Sequence, residues 1–313
     1  MNKYSKKYID KISSSKVYDV VIKTPITKAE SVSTQFLNNV FLKREDLQPT
    51  HSFKIRGAYN KISNLVETQK IKHVVTASAG NHAQGVAYSA KSLKIKSTIF
   101  MPKTTPSIKV DSVKNLGSKV ILVGDNFDAA LKESLLYCKT KKLPFIHPFD
   151  DPLVIAGQGT IGKEILEQFN EKIDIIFVAV GGGGLISGVG AFIKTINPKI
   201  KIIAVEAADA AGLNSSLAAK KRIKLKEVGL FADGAAAKQI GKNNYKLITE
   251  WIDGSITVTT DEICAAVKDT FIDTRTIPEP TGALALAGLK KYVINKKIKN
   301  KNLIATYCGS NLN

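Results

Sequence analysis

Short apolar runs alternate along this chain with segments whose apolar residues recur three and four positions apart. An uninterrupted apolar run is typical of a buried strand, and the longer spacing is typical of an amphipathic helix. The pattern predicts three strands, each followed by a helix, at residues 73–78 and 83–93, 97–102 and 107–117, and 119–124 and 126–141. It then predicts a strand, a helix and a strand at residues 173–180, 185–196 and 201–206.

This alternation predicts the fold class. Parallel strands need long crossover connections, which are usually helices, and strand–helix blocks cover roughly residues 73–123 and 173–206. We therefore predict an α/β protein with two lobes, each a mostly parallel sheet wrapped by helices. Because ligand sites occur preferentially between such units, we expect the functional site between the lobes.

The charge of the chain raises the question of nucleic-acid binding. The 313 residues carry a formal net charge of +19, from 46 Lys and Arg against 27 Asp and Glu. Nucleic-acid sites favour arginine forks and aromatic platforms, but the arginines are few and aromatic residues make up 7% of the chain. We therefore expect the lysine runs at 141–144, 220–224 and 295–302 to be solvated surface, with no nucleic-acid partner.

Cysteine usage and the N-terminal segment bear on location. Cys138, Cys264 and Cys308 show no C-x-x-C spacing and are too few for a disulfide framework. The N-terminal segment has no apolar core typical of a signal peptide, and no run is long enough to span a membrane. We therefore expect a cytoplasmic protein that does not contact membranes.

One lysine stands apart from the solvated runs. Lys54 lies between Phe53 and Ile55 and is followed by Gly57, before a helical pattern resumes at Ala58. The apolar neighbours predict a partly buried amine, and the glycine predicts a backbone that another segment approaches closely. Burial favours the neutral form of an amine, and the neutral form is the one that acts as a base or nucleophile.

Four consecutive glycines, 181–184, follow a fully apolar strand and precede a helix. Their backbone N–H groups and the helix N-terminus suit a phosphate, and a flexible hinge is the alternative. A dinucleotide fold is the rival hypothesis, because Glu206 ends the next strand where a ribose-binding acid belongs. The loop gives no G-x-G-x-x-G spacing, since Ser187 occupies the last glycine position. The dinucleotide hypothesis therefore ranks second.

A lysine in an apolar setting and a phosphate loop together indicate pyridoxal 5'-phosphate. This cofactor needs a lysine for its Schiff base, a phosphate cradle and a partner for its ring nitrogen. The sequence contains a candidate for each.

The motifs of the chain resemble those of the threonine dehydratases (threonine ammonia-lyases), which belong to the tryptophan-synthase-β-like, fold type II group of pyridoxal-phosphate enzymes. The stretches "LQPTHSFKIRGAY" and "SAGNHAQG" favour the biosynthetic type. Further motifs follow in order as "PFDDPLVIAGQGTIGKEI", "VAVGGGGLISGV", "VGLFADGAA", "EPTGALALAGLKKY" and "CGSN". The resemblance implies a large cofactor-binding domain at residues 1–50 and 148–313 and a small domain at residues 51–147.

The resemblance also assigns site residues. It implies that Lys54, beside Phe53, carries the cofactor and is the catalytic residue, and that Asn81 hydrogen-bonds the ring hydroxyl. Cys308 falls where the family usually has serine, facing the pyridine nitrogen. The residues implied to bind the phosphate are Gly181, Gly182, Gly183, Gly184 and Leu185. The residues implied to bind the substrate are Ser78, Ala79, Gly80, Asn81 and His82.

Several of these residues have ordinary structural alternatives. Asn81 and Ser78 are common in turns and caps, and Cys308 alone would be interpreted as a small buried apolar residue. His82 is expected to be structural, and Glu279 is typical of an acid at a helix start.

Two positions distinguish this chain from related racemases. In those enzymes the residue equivalent to Glu206 lines a cation site with a second acid, but that second position is Gly212 here, so no metal is predicted. Serine racemases also carry a second serine where this chain has Ala79. The resemblance therefore implies elimination rather than racemisation.

The activity implied by the resemblance is conversion of L-threonine to 2-oxobutanoate and ammonia, towards isoleucine, with L-serine giving pyruvate as a secondary activity. Lys54 would remove the α-proton, and a neutral group at 308 suits β-elimination. A non-catalytic relative that binds an amino acid is a further alternative. We also expect a homodimer or homotetramer, and neither a C-terminal regulatory domain nor inhibition by isoleucine.

Overall fold

The computed structural model describes the backbone of residues 3–312 and the side chains of residues 7–312. The strands are β1 (Ile26–Lys28), β2 (Asn39–Arg44), β3 (His73–Ala77), β4 (Lys96–Met101), β5 (Lys119–Leu122), β6 (Ile175–Ala179), β7 (Lys201–Ala207), β8 (Gly254–Val258) and β9 (Asn302–Tyr307). The helices are α1 (Lys3–Ser13), α2 (Glu30–Phe36), α3 (Lys54–Gln69), α4 (Asn81–Ser92), α5 (Ser107–Asn115), α6 (Phe127–Lys141), α7 (Pro152–Gln168), α8 (Gly184–Ile196), α9 (Gly212–Ala218), α10 (Lys242–Trp251), α11 (Thr260–Thr274) and α12 (Pro280–Lys296).

These strands form two sheets. The large sheet has the order β1-β2-β9-β6-β7-β8, and the small sheet has the order β3-β4-β5. Only the β1–β2 pairing of the described strands is antiparallel, and the other pairings in both sheets are parallel. The prediction of an α/β fold with mostly parallel sheets wrapped by helices is confirmed. The domain boundaries stay a prediction.

Hydrophobic burial explains why these elements form. Every residue of β6 is buried, as expected for a central strand covered by helices on both faces. One continuous apolar core joins β6, β7 and β9 to α8 and α12. Separate apolar clusters pack α3, α4 and α6 onto the small sheet. The predicted strands and helices in both blocks are confirmed to within a few residues.

The start of α3 differs from the expectation. The sequence pattern placed the resumed helix at Ala58, but α3 begins at Lys54. The reason is that Arg56 is fully buried, so a charged residue occupies an interior position and interrupts the apolar pattern. The expectation of a close approach at Gly57 is confirmed, because a Cβ there would lie 2.8 Å from the Val154 carbonyl oxygen of α7.

The lysine-rich segments lie at the surface, as predicted. The lysines of the runs at 141–144, 220–224 and 295–302 are exposed or partly exposed. Within residues 3–312, no helix combines the length and the apolar character that crossing a bilayer requires.

Candidate active site

A pocket opens at the carboxyl ends of the central strands of the large sheet. It lies between the start of α3, the loop after β6 and the residue that follows β9. Its lining includes Phe53, Lys54, Pro148, Phe149, Gln158, Ala179, Gly181, Gly182, Gly183, Gly184, Leu185, Gly234, Ala235, Thr281 and Cys308. Ligands of open α/β sheets bind at this edge. The structure therefore brings Lys54, the glycine loop and Cys308 into one pocket.

Lys54 presents its amine to this pocket from the first residue of α3. The side chain keeps a partial opening to solvent, while protein atoms surround the amine. Its Nζ donates to the Pro148 carbonyl at 3.2 Å and lies 5.3 Å from the centre of the Phe53 ring. Burial lowers the pKa of Lys54 to about 8, and the carboxyl of Glu279 opposes this shift. Near neutral pH the amine therefore has an appreciable neutral fraction.

The glycine loop lies opposite Lys54 and leads into α8, which begins at Gly184. Gly183 has a φ of 94°, a conformation that favours glycine. A Cβ on Gly182 would overlap the Phe149 ring, so this position also requires glycine. The loop and the first turn of α8 present backbone N–H groups to the pocket, where helix geometry favours an anion.

A side chain that the sequence did not identify holds this loop. Asn244 of α10 donates from Nδ2 to the Gly182 carbonyl at 2.9 Å and to the Phe149 carbonyl at 3.1 Å. The bond to Gly182 fixes the loop through a carbonyl oxygen, which leaves the N–H groups of the loop available to an anion. No local motif marks Asn244, because its partners lie far from it in sequence.

Cys308 follows β9 and is 1% exposed. Its Sγ donates to the Thr281 carbonyl at 3.3 Å, and burial raises its pKa far above the ordinary thiol range. Cys308 therefore presents a neutral thiol to the pocket. Its own carbonyl accepts from the Phe53 N–H at 3.2 Å, which ties the start of α3 to the end of β9.

The predicted substrate loop, 78–82, lies beside this pocket rather than among its lining residues. It connects β3 of the small sheet to α4. The Ser78 hydroxyl accepts from the Gly80 N–H at 3.3 Å, which supports the turn alternative for Ser78. His82 is buried, its Nε2 lies 3.0 Å from the Ile146 carbonyl, and burial lowers its pKa to about 3. An imidazole with so low a pKa accepts a proton poorly, which agrees with the expectation that His82 is structural.

Asn81 connects the substrate loop to Glu279. Its Nδ2 donates to Glu279 Oε1 at 2.6 Å, and a Cβ on Gly309, next to Cys308, would lie 3.2 Å from the same nitrogen. Glu279 is 3% exposed, and desolvation raises its pKa to about 7. Glu279 directly precedes α12, as expected. Its carboxyl contacts Asn81 instead of capping the helix.

Glu206, the acid that the dinucleotide hypothesis required, already has partners. Its carboxylate accepts from the backbone N–H groups of Leu213 and Asn214 at 2.7 and 2.8 Å and from the Asn214 side chain at 2.9 Å. The side chain is fully buried beneath α9. It is therefore not available to bind a ribose, and this hypothesis is wrong in its central residue.

Comparison with known proteins identifies the chain's relatives. The model of a family described as "Pyridoxal-phosphate dependent enzyme" matches residues 17–309. The chain is 52% identical over 309 residues to the mitochondrial threonine dehydratase of Schizosaccharomyces pombe, covering 97% of this chain and 51% of that protein. It is 52% identical to the biosynthetic L-threonine dehydratase of Pasteurella multocida, covering 98% of this chain and 60% of that protein. The chain thus spans about half to three-fifths of these curated relatives.

Solved structures of two similar enzymes superpose closely on this chain. The processed form of threonine deaminase isoform 2 from Solanum lycopersicum superposes with a TM-score of 0.97 at 46% identity, covering 100% of this chain and 86% of that one. Maize serine racemase superposes with a TM-score of 0.91 at 33% identity, covering 97% of this chain and 95% of that one.

Proposed function

The chain belongs to the pyridoxal-phosphate dependent enzyme family, and from this premise we propose that it converts L-threonine to 2-oxobutanoate and ammonia. L-Serine, giving pyruvate, is proposed as a secondary substrate. The observation that carries the proposal is the Lys54 amine, whose pKa is lowered to about 8, facing the glycine loop across one pocket. Relatives that are about half identical over nearly all of this chain and are named threonine dehydratases support the choice of substrate.

The residues present fit the cofactor of the family. The glycine loop and the N-terminus of α8 form a cradle for the phosphate, and Lys54 supplies the amine. Two buried polar atoms of the lining, Oε1 of Gln158 and Oγ1 of Thr281, have no hydrogen-bond partner among the described residues. Buried polar atoms are normally satisfied, so a bound group with polar atoms suits this pocket. When bound, pyridoxal phosphate supplies an electron sink for negative charge at the substrate α-carbon.

Lys54 is proposed to move the proton. An ordinary lysine, with a pKa of about 10.4, is almost entirely protonated near neutral pH. The lowered pKa of Lys54 leaves enough neutral amine to take a proton from the α-carbon of an amino acid held in the pocket. The same residue then serves both as the attachment point of the cofactor and as the base.

Cys308 is proposed to face the ring nitrogen of the cofactor. Its thiol stays neutral because burial raises its pKa. A neutral thiol cannot stabilise a positive charge on that nitrogen as a carboxylate would. A site with this moderate electron demand favours elimination of the β-hydroxyl over transamination.

The loop 78–82 is proposed to hold the substrate carboxylate. It leads directly into α4, which begins at Asn81, and the N–H groups of a helix start favour an anion. Asn81 is proposed to hydrogen-bond the ring hydroxyl of the cofactor. The other residues of this loop that are proposed to bind the substrate are Ser78, Ala79, Gly80 and His82.

The biological setting is inferred from the relatives. Curated relatives with "biosynthetic" in their names support a role at the entry to isoleucine synthesis. A cytoplasmic location and a homodimer or homotetramer stay predictions.

The central experiment locates the cofactor. Protein loaded with pyridoxal phosphate is reduced with borohydride, digested and examined by mass spectrometry, and the pyridoxyl adduct is expected on Lys54. An adduct on any other lysine would overturn the assignment. Production of 2-oxobutanoate from L-threonine is measured in parallel, and a protein that carries the adduct but forms no keto acid would indicate the non-catalytic alternative.

A second variant tests the phosphate loop. Gly183→Asp adds a negative charge to the loop and strains it, because φ at this residue is 94° and the new Cβ would lie 3.0 Å from Asn244 Cβ. The variant is therefore expected to lose its cofactor on dialysis. Gly117→Asp is the matched control, because Gly117 also has a positive φ, of 86°, and lies two residues after α5, outside the pocket lining. Full retention of cofactor by Gly183→Asp would mean that the phosphate binds elsewhere.

A further inference from the structure

We propose that Asn311 is a positioning residue that sets the orientation of the Asn81 side-chain amide. The inference rests on the proposed role of Asn81 at the cofactor. It concerns which end of that amide, the amino group or the oxygen, faces Glu279 and the pocket. Asn311 is the last residue of the motif "CGSN" that begins at Cys308, but the resemblance assigned it no role.

Hydrogen bonds fix this orientation in one direction. The Thr50 carbonyl can only accept, and it accepts from Asn311 Nδ2 at 2.9 Å. The same nitrogen donates to Asn81 Oδ1 at 2.7 Å. This bond holds Asn81 Oδ1 towards Asn311. Asn81 Nδ2 therefore faces the opposite side, where it donates to Glu279 Oε1 at 2.6 Å. An amide nitrogen has two protons, so one proton of Asn81 Nδ2 remains for a further acceptor.

The segment that carries Asn311 is itself fixed. Ser310 donates from its N–H to the His51 carbonyl at 2.9 Å, and Gly309 forms a bridge with Ser52. These contacts hold Asn311 against the residues that directly precede Lys54. Asn81 is 8% exposed, so water has little access to replace the donor that Asn311 supplies.

The consequence concerns the cofactor. Without a donor at Asn311, only the bond to Glu279 holds the Asn81 amide in this orientation. Desolvation raises the pKa of Glu279 to about 7, and its protonated carboxyl can donate to an amide oxygen. A half-turn that directs the Asn81 oxygen towards Glu279 and the pocket therefore becomes accessible. An oxygen there would present an acceptor, instead of a donor, to the ring hydroxyl that Asn81 is proposed to bind. Asn311 thus acts on the cofactor through Asn81, without needing to touch it.

The test uses the full chain loaded with pyridoxal phosphate. Asn311→Leu removes the donor at similar volume, and Asn311→Asp replaces it with an acceptor. Both variants are expected to weaken cofactor binding by about tenfold, as for one lost hydrogen bond. They are also expected to change the ratio of the visible to the near-ultraviolet band of the bound cofactor, a readout that a general loss of stability does not move. Asn302→Leu, at the other end of β9, is the matched control and should change neither.

A double variant separates positioning from a structural role. If Asn311 acts through Asn81, then Asn81→Ala combined with Asn311→Leu should match Asn81→Ala alone in affinity and spectrum. Additive effects would overturn the inference, as would an Asn311→Leu variant that keeps the unmodified spectrum while Asn81→Ala changes it. If Asn81→Ala itself leaves the spectrum unchanged, the proposed cofactor role of Asn81 fails instead. Should Asn311→Leu not fold, the same comparisons apply to Asn311→Asp.

Discussion

Lys43 and Lys54 both place an amine in the interior, but the two amines have different hydrogen-bond partners. Lys43 on β2 is fully buried, and its ammonium donates to Glu164 and to the Thr24 carbonyl, both at 2.6 Å. Lys54 donates to a single carbonyl, that of Pro148, at 3.2 Å. One amine is neutralised by a contacting carboxylate, while the other faces a pocket.

The partners of Lys43 form a closed network. Arg56 bonds Glu45 at 2.7 Å and Glu164 at 2.6 Å, and all four charged side chains are 0% exposed. Two cations meet two carboxylates, so the network has no net charge. Buried charges persist where they are paired in this way. The network joins β2, α3 and α7 and fixes the start of the helix that carries Lys54.

The comparison shows how the same side chain is used for structure or for chemistry. Burial lowers the pKa of both amines. At Lys43 the carboxylates of Glu45 and Glu164 oppose this shift, and hydrogen bonds occupy the ammonium. At Lys54 the pKa falls to about 8, and the amine keeps room for a reaction partner. Burial without a contacting carboxylate is therefore what makes Lys54 a candidate base.

The largest expected effect is on turnover. Replacement of Lys54 by alanine removes both the attachment point and the base, so turnover of L-threonine is expected to fall by at least about a thousandfold. Lys61→Ala is the control, because Lys61 lies on the same helix and pairs with Asp151 instead. Initial rates of keto-acid formation decide the comparison. If Lys54→Ala keeps more than a few per cent of the rate, another lysine is the base.

The corresponding change at Lys43 is expected to affect stability instead. Lys43→Met leaves Glu164 with a buried charge that Arg56 alone must balance, and breaking such a pair typically destabilises by about 3–5 kcal/mol. Urea unfolding of cofactor-loaded protein measures the loss, while the rate per folded molecule should stay close to that of the unmodified protein. Lys43→Met combined with Glu164→Gln should recover part of the stability, since no unpaired carboxylate then remains. An unchanged free energy of unfolding would show that the Lys43 network contributes little.

A third prediction uses pH to compare the two amines. In cofactor-free protein, an acylating reagent reacts with neutral amines, so labelling of Lys54 should rise with pH through about 8 and then level off. At pH 7 Lys54 should be labelled about a hundredfold faster than an exposed lysine with a pKa of about 10.4. Lys43 should stay unlabelled because its side chain is fully buried. Mass spectrometry of labelled peptides gives each rate, and a Lys54 profile that keeps rising to pH 10 would contradict the lowered pKa.

Features with a local sequence signal could be predicted, and features that depend on tertiary pairing could not. The strands β3 to β7 and the helices α4, α5, α6 and α8 follow local apolar patterns, so the sequence predicted them, whereas α7 between β5 and β6 was not predicted. Lys54 was found because its apolar neighbours are adjacent in the chain. The Lys43 network was not found, because Glu164 is far away in sequence and Arg56 looks like an ordinary surface charge. Interior charges depend on tertiary pairing, which has no local signal.

The glycine loop and its support show the same contrast. Four consecutive glycines are visible in any sequence, and their phosphate interpretation needs only the strand before and the helix after. Asn244, Gln158 and Asn311 act on the same site from α10, α7 and the residues after β9. Gln158 and Asn311 lie within quoted motifs and Asn244 lies in none, but none of the three was assigned a role, because amide side chains are common throughout proteins. Only the folded arrangement distinguishes them.

The smallest expected effect concerns the face of the substrate opposite Lys54. Racemisation needs a base on one face of the α-carbon and an acid on the other, so that a proton leaves one side and returns on the other. Lys54 is proposed to serve one face, and Ala79 is proposed to lie at the other, where its methyl group can neither donate nor accept a proton. The unmodified protein should therefore form negligible D-serine from L-serine, even though maize serine racemase shares its fold closely.

Ala79→Ser should raise D-serine formation by about tenfold, less than a well-positioned acid gives, because nothing yet orients the new hydroxyl. Ala79→Val is the control, since it adds bulk without a proton. Chiral chromatography of unreacted serine after partial turnover measures the product, and substantial D-serine from the unmodified protein would mean that another group already protonates the opposite face.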